Sequence, residues 1–203
     1  MALLVAPWLA AEPKIVFSKS FPGSKPPLVF IEFERNGKAV YKEAENDEQP
    51  IPFELTKEQA DQIFALAEKL GKFNRPLESG LKVANMGQKS FRWDDDGKRG
   101  AEVKFNYSQD EDARSILDWF EKMIETEQHF INVERSVKFD KLGANRALLL
   151  LQAGMERDRL VGLTQFLPLL ERVTKNQGFL HMDRERATTL IEWIKNGKPK
   201  ADQ

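Results

Sequence analysis

The chain has 203 residues, 41% hydrophobic and 31% charged, with 31 lysines and arginines against 32 aspartates and glutamates. That length suits one large domain or a domain with a substantial appendage, and the composition is too polar for a membrane-embedded chain and too apolar for a disordered one. The near-neutral balance lacks the positive field that a phosphate backbone requires, so nucleic acid is not expected as a partner. The absence of cysteine removes disulfides, thiol nucleophiles and cysteine-ligated zinc or iron–sulfur centres. Up to Thr126 there are 18 basic and 22 acidic residues, and beyond it 13 and 10. The resulting −4 and +3 imply at most a weak mutual attraction between the two parts.

Met1 to Ala11 is apolar and uncharged, and Glu12-Pro13 then begins a polar sequence. The stretch resembles the back half of a secretory signal peptide, with Ala10 and Ala11 suited to cleavage, although the positive n-region is missing. The expectation is export, to the periplasm or beyond, with residues 1–13 as a signal remnant; the alternative is a cytoplasmic protein with an apolar arm. No later segment approaches the roughly 20 apolar residues that a membrane-spanning helix needs.

Lys14 to Phe21 reads as a strand, ended by Pro22-Gly23-Ser24-Lys25-Pro26-Pro27. Leu28 to Arg35 alternates, with Val29, Ile31 and Phe33 on one face and Phe30, Glu32 and Glu34 on the other. Asn36-Gly37 predicts a type I′ hairpin turn, Ala39 to Glu43 the return strand, and Pro52 to Leu55 an edge strand. Thr56-Lys57-Glu58-Gln59 is a capping box opening a helix with Ala60, Ile63, Phe64, Ala67 and Leu70 inward and Gly71 at its end. A loop over 73–86 leads to a second hairpin, Lys89 to Trp93 and Ala101 to Tyr107, joined through Asp94-Asp95-Asp96-Gly97. Ser108-Gln109-Asp110-Glu111 is a second capping box before an amphipathic helix.

The class is therefore α+β: an antiparallel sheet from two β-hairpin-plus-helix units over 14–126, followed by a C-terminal helical subdomain over 127–197 packed on it, and a loose tail over 198–203. Residues 130–139 fit strand or helix, and helix is favoured. Ala147 to Leu151 is apolar around most of a helix, which predicts cover on more than one side. Thr164 to Asn176 and Asp183 to Asn196 predict two further helices.

Val16-Phe17-Ser18-Lys19-Ser20-Phe21-Pro22-Gly23, the strand–turn–strand from Phe30 to Tyr41, and Leu55-Thr56 before a helix together resemble small exported bacterial proteins and lipoproteins that are uncharacterised. Their plan is strand, glycine-containing hairpin, strand and capped helix. The resemblance covers the first half of the chain and implies an envelope location. It transfers no catalytic residue, since the pattern defines none, and the cysteine that some such proteins carry near the Pro-Gly position is missing.

Chemistry is sparse. The histidines are His129 and His181, and no Gly-x-Ser-x-Gly elbow accompanies them. Glu125 and His129 stand at i, i+4, a spacing that more often makes a surface hydrogen bond than a metal site. The contiguous Asp94-Asp95-Asp96 run does not match the alternating ligands of a calcium loop and reads as a solvated turn. Phosphate-cradling glycine loops are absent. No catalytic residue, metal or cofactor is therefore expected. Arg157 with Arg159, and Arg184 with Arg186, could grip a carboxylate or phosphate, but the interleaved acids favour local ion pairs. The function expected is a non-catalytic exported or envelope protein that binds a macromolecule or small ligand through its sheet or between its two parts. The alternative is a small hydrolase using His129 or His181 with a carboxylate.

Overall fold

A computed structural model describes residues 12–198. The apolar stretch Met1 to Ala11, on which the export expectation rests, lies outside the described residues.

The strands are β1 (Lys14–Ser20), β2 (Leu28–Glu34), β3 (Lys38–Lys42), β4 (Ile51–Glu54), β5 (Gln88–Asp94) and β6 (Glu102–Phe105), and they form one six-stranded sheet in the order β4-β3-β2-β1-β5-β6. β1 pairs antiparallel with both β2 and β5, and the β2/β3 and β5/β6 pairs are antiparallel too. The helices are α1 (Lys57–Lys69), α2 (Glu111–Phe139), α3 (Ala144–Glu156), α4 (Leu167–Lys175) and α5 (His181–Asn196). This is the α+β class that the alternation and caps imply. Residues 130–139 are the last turns of the 29-residue α2.

The chain divides into two compact units. Among the described residues the first holds 12–52 and 56–117, the second 53–55 and 118–198, so the division falls inside α2.

In the first unit the period of two decides everything. Ile15 and Phe17 of β1, Ile31 and Phe33 of β2, and Phe91 of β5 are fully buried. α1 brings Ile63, Phe64 and Ala67 to the same core, with the Phe64 ring 5.8 Å from Phe33 and 5.3 Å from Trp93. In the second unit, Val133 and Val137 of α2, Leu148 and Leu151 of α3, Leu170 and Val173 of α4, and Ala187 and Leu190 of α5 share a core.

Four local expectations are refined. The β2–β3 connection has three residues, Arg35 to Gly37: the Gly37 amide donates to the Glu34 carbonyl at 3.0 Å, Gly37 has φ +95°, and Asn36 keeps a negative φ. It is thus a type I turn closed by a left-handed glycine, not the type I′ turn expected of Asn36-Gly37. The type I′ geometry occurs at the second hairpin, where Asp96 (φ +50°) and Gly97 (φ +71°) lie between Asp95 and Lys98, paired by two backbone hydrogen bonds. The N-cap of α2 is Asp110, whose carboxylate accepts from the Ala113 amide at 3.0 Å; Ser108 instead accepts from the Asp110 amide at 3.3 Å. A carboxylate opposite the positive end of the helix dipole is the stronger cap there. Finally, Leu149 and Leu150 of α3 are each nearly half exposed, so this helix buries one face and not most of its circumference.

Candidate functional site

Burying odd-numbered residues of β1 and β5 sends the even-numbered ones to the opposite face of the sheet. Strand register then sets them in rows. Lys42, Phe30, Ser18, Ser90 and Lys104 stand side by side on β3, β2, β1, β5 and β6. The next row is Val40, Glu32, Val16, Arg92 and Glu102. All of these residues except Val40 line a pocket of about 370 Å³, to which Glu45 and Arg99 add their side chains from the flanking loops. That volume is in the range of small-ligand sites, roughly 300 to 1,000 Å³.

The floor is apolar and hydroxylic. Phe30 and Val16 are half-buried, and the Ser18 and Ser90 hydroxyls lie 2.8 Å apart. The walls are charged and largely tied down. Glu32 accepts from Lys14 at 2.8 Å through one oxygen and from Lys42 at 2.7 Å through the other, and these two ammonium groups hold its carboxyl below the usual range. Arg92 donates through Nε and Nη2 to both oxygens of Asp94 at 2.7 and 3.0 Å. Burial opposes ionisation of Asp94, but the Arg92 guanidinium and the Gly100 amide outweigh it and keep the carboxyl low. A Cβ at Gly100 would collide with the Trp93 carbonyl, which is why glycine lets the return strand close over Asp94. Arg99 stands 3.6 Å from Glu102. Lys104 and Glu45 have no ion-pair partner among the described residues.

The Asp94–Asp96 carboxylates diverge. Asp94 turns to Arg92, Asp95 to the Trp93 indole and Lys72, and Asp96 is exposed at the turn. Among the described residues, no cluster of three His, Asp or Glu side chains could hold a metal ion, and no helix is long and apolar enough to cross a membrane.

The four arginines singled out in the sequence lie in the second unit with separate partners. Arg159 donates to Asp118 at 2.6 Å and to Glu125 at 3.1 Å. Arg184 donates to Gln177 at 2.6 Å and Arg186 to Gln152 at 3.0 Å. Arg157 is exposed at the end of α3. No hydrogen bond of one is shared by another.

His181 Nε2 lies 3.1 Å from Glu185 Oε1, but the imidazole is 77% exposed. His129 is half-buried, and that burial lowers its proton affinity although Glu125 works the other way. Neither histidine lines the sheet pocket.

A further buried polar pair was not visible in the sequence. Glu127 of α2 is fully buried, and its Oε1 accepts from the Gln165 amide at 2.8 Å. Its Oε2 and the Gln165 Oε1 are buried without partners, and burial pushes the carboxyl pKa up to about 8.

No family model, curated protein or solved structure matches this chain.

Proposed function

We propose that this is a non-catalytic binding protein that holds a small ligand on the open face of its sheet. One observation carries the reading: a concave floor of Phe30, Val16, Ser18 and Ser90 is walled by charged side chains, of which Lys42 and Arg92 are already oriented by Glu32 and Asp94. An apolar floor with a few fixed polar groups is the usual make-up of a ligand site, and groups held in place before binding lose less entropy when it occurs. The residues around it do not form an acid–base or nucleophile set, because the serine hydroxyls face each other and not an imidazole.

A screen of several hundred neutral, cationic and anionic fragments by amide NMR tests this. Hits are expected to shift residues of β1, β2, β5 and β6 that face the pocket. Hits confined to other surfaces, or turnover of chromogenic esters abolished by His129→Ala or His181→Ala, would count against it.

Export belongs to the same proposal. It is supported by the apolar stretch before Glu12, and the mature chain is expected to begin near Glu12. Intact-mass measurement on protein from the native host checks this, and a full-length cytoplasmic species would refute it.

A further inference from the structure

The sheet-face reading leaves the ligand's chemistry open, and the charge pattern narrows it. The pocket is lined by four cations, Lys42, Arg92, Arg99 and Lys104, and three carboxylates, Glu32, Glu45 and Glu102. This local excess of positive charge occurs in a chain of formal net charge −1. Both oxygens of Glu32 and both oxygens of Asp94 are engaged. Polar donors gather at one corner, the Ser90 hydroxyl there sharing a hydrogen bond with Ser18. Ser90 sits beside Lys104 across the β5/β6 pair, and Arg92, whose Nη1 makes none of the hydrogen bonds to Asp94, is the next residue of β5 on the same face, about 7 Å along the strand. Two carboxylates adjoin this corner: Asp94, held by Arg92 at 2.7 and 3.0 Å, and Glu102, which pairs in register with Arg92 and stands 3.6 Å from Arg99. Glu45 lies beyond the opposite edge, after β3. The floor turns apolar at Phe30, across Ser18 from Ser90, and at Val16, beside Arg92.

We infer that the pocket takes a small amphipathic oxyanion, a carboxylate or phosphate ester seated on Lys104, Ser90 and Arg92 with an aryl or alkyl body over Phe30 and Val16. A hydroxyl, an ammonium and a guanidinium N–H are the donors that bind such a group in charge-assisted hydrogen bonds. The inference rests on the proposed sheet-face site, and its test separates the two.

The probes are phenylacetate, phenyl phosphate, inorganic phosphate and the phenethylammonium cation, each titrated into the whole protein and followed at the amides of Ser18, Ser90 and Lys104. Phenylacetate or phenyl phosphate is expected to saturate these shifts, and the tighter of the two identifies the headgroup. Inorganic phosphate should bind at least about tenfold more weakly for lack of an apolar body. Lys104→Glu, at an exposed position, should weaken the aryl anion by about tenfold or more, and Lys104→Arg should hold it within about threefold. The inference is overturned if the cation binds these residues as tightly as the anions, or if Lys104→Glu leaves anion affinity unchanged. Neutral or cationic fragments that bind this face while anions do not would overturn the oxyanion alone. Absence of every fragment from the face would overturn the site as well.

Discussion

Replacing Glu127 with Gln is expected to remove a loss of stability that the wild-type protein shows as pH rises from about 5 to about 8. Glu127 is fully buried, and burial raises its carboxyl from an ordinary 4.5 to about 8, the Gln165 hydrogen bond opposing that rise. A folded-state pKa above the unfolded one means that the native protein holds the proton more tightly. The stabilisation is therefore complete below the unfolded value and is lost as pH climbs toward the folded one. Each unit of difference corresponds to about 1.4 kcal/mol, so the full effect is on the order of 3 to 5 kcal/mol. The geometry agrees with a neutral carboxyl: a proton on Oε2 turns one of the two unpartnered oxygens, Glu127 Oε2 and Gln165 Oε1, into a donor, whereas ionisation leaves a charge in the core. Urea denaturation of wild type and Glu127→Gln from pH 5 to pH 8.5 measures this, since other titrating groups affect both proteins equally. Stability curves that stay parallel across this range would show that Glu127 is already ionised.

The second large effect lies under the candidate site. Phe91→Ala is expected to cost about 3 to 5 kcal/mol, the usual range for emptying a buried phenylalanine site. The ring is fully buried against other rings, with centroids 5.0 Å from Phe73, 5.1 Å from Phe17 and 5.7 Å from Phe105. Phe91 also stands between Ser90 and Arg92 on β5, so it holds the strand that presents both to the pocket. Phe91→Leu, which keeps most of the volume, should lose less than half as much. Chemical denaturation decides the matter, and a loss below about 1 kcal/mol for Phe91→Ala would mean that the cavity collapses and the aromatic cluster is not the core of this unit.

Much of the architecture was legible because local rules carry it. The alternation Val29, Ile31, Phe33 against Phe30, Glu32, Glu34 assigns both faces of β2, and the Thr56–Gln59 box starts α1 with both reciprocal hydrogen bonds formed. Turn detail was less legible: Asn36-Gly37 and Asp96-Gly97 are both good type I′ pairs, and only the number of residues between the paired strands, three at the first and two between Asp95 and Lys98, separates them. The exposure of Leu149 and Leu150 has no local signature, since a run of leucines fits a covered helix equally well. The candidate site was half legible. Its polar face could be read from β2, but the Ser18–Ser90 contact joins residues 72 apart and exists only once β1 pairs with β5. The pairs that draw the eye in the sequence, Arg157 with Arg159 and Arg184 with Arg186, do not form the expected local ion pairs: Arg159 reaches Asp118 and Glu125, Arg184 and Arg186 bond the glutamines Gln177 and Gln152, and Arg157 is exposed.

Binding on the open sheet face is tested most directly at Ser18. Ser18→Phe fills the middle of that floor with a ring that a strand tolerates well, and it sits far in sequence from both histidines. The decisive measurement is the dissociation constant of one ligand from the fragment screen for wild type, Ser18→Phe, His129→Ala and His181→Ala, each first shown to melt cooperatively. Affinity lost by at least about tenfold in Ser18→Phe and unchanged in both histidine variants is the predicted result. Unchanged affinity in a folded Ser18→Phe protein would contradict binding on this face.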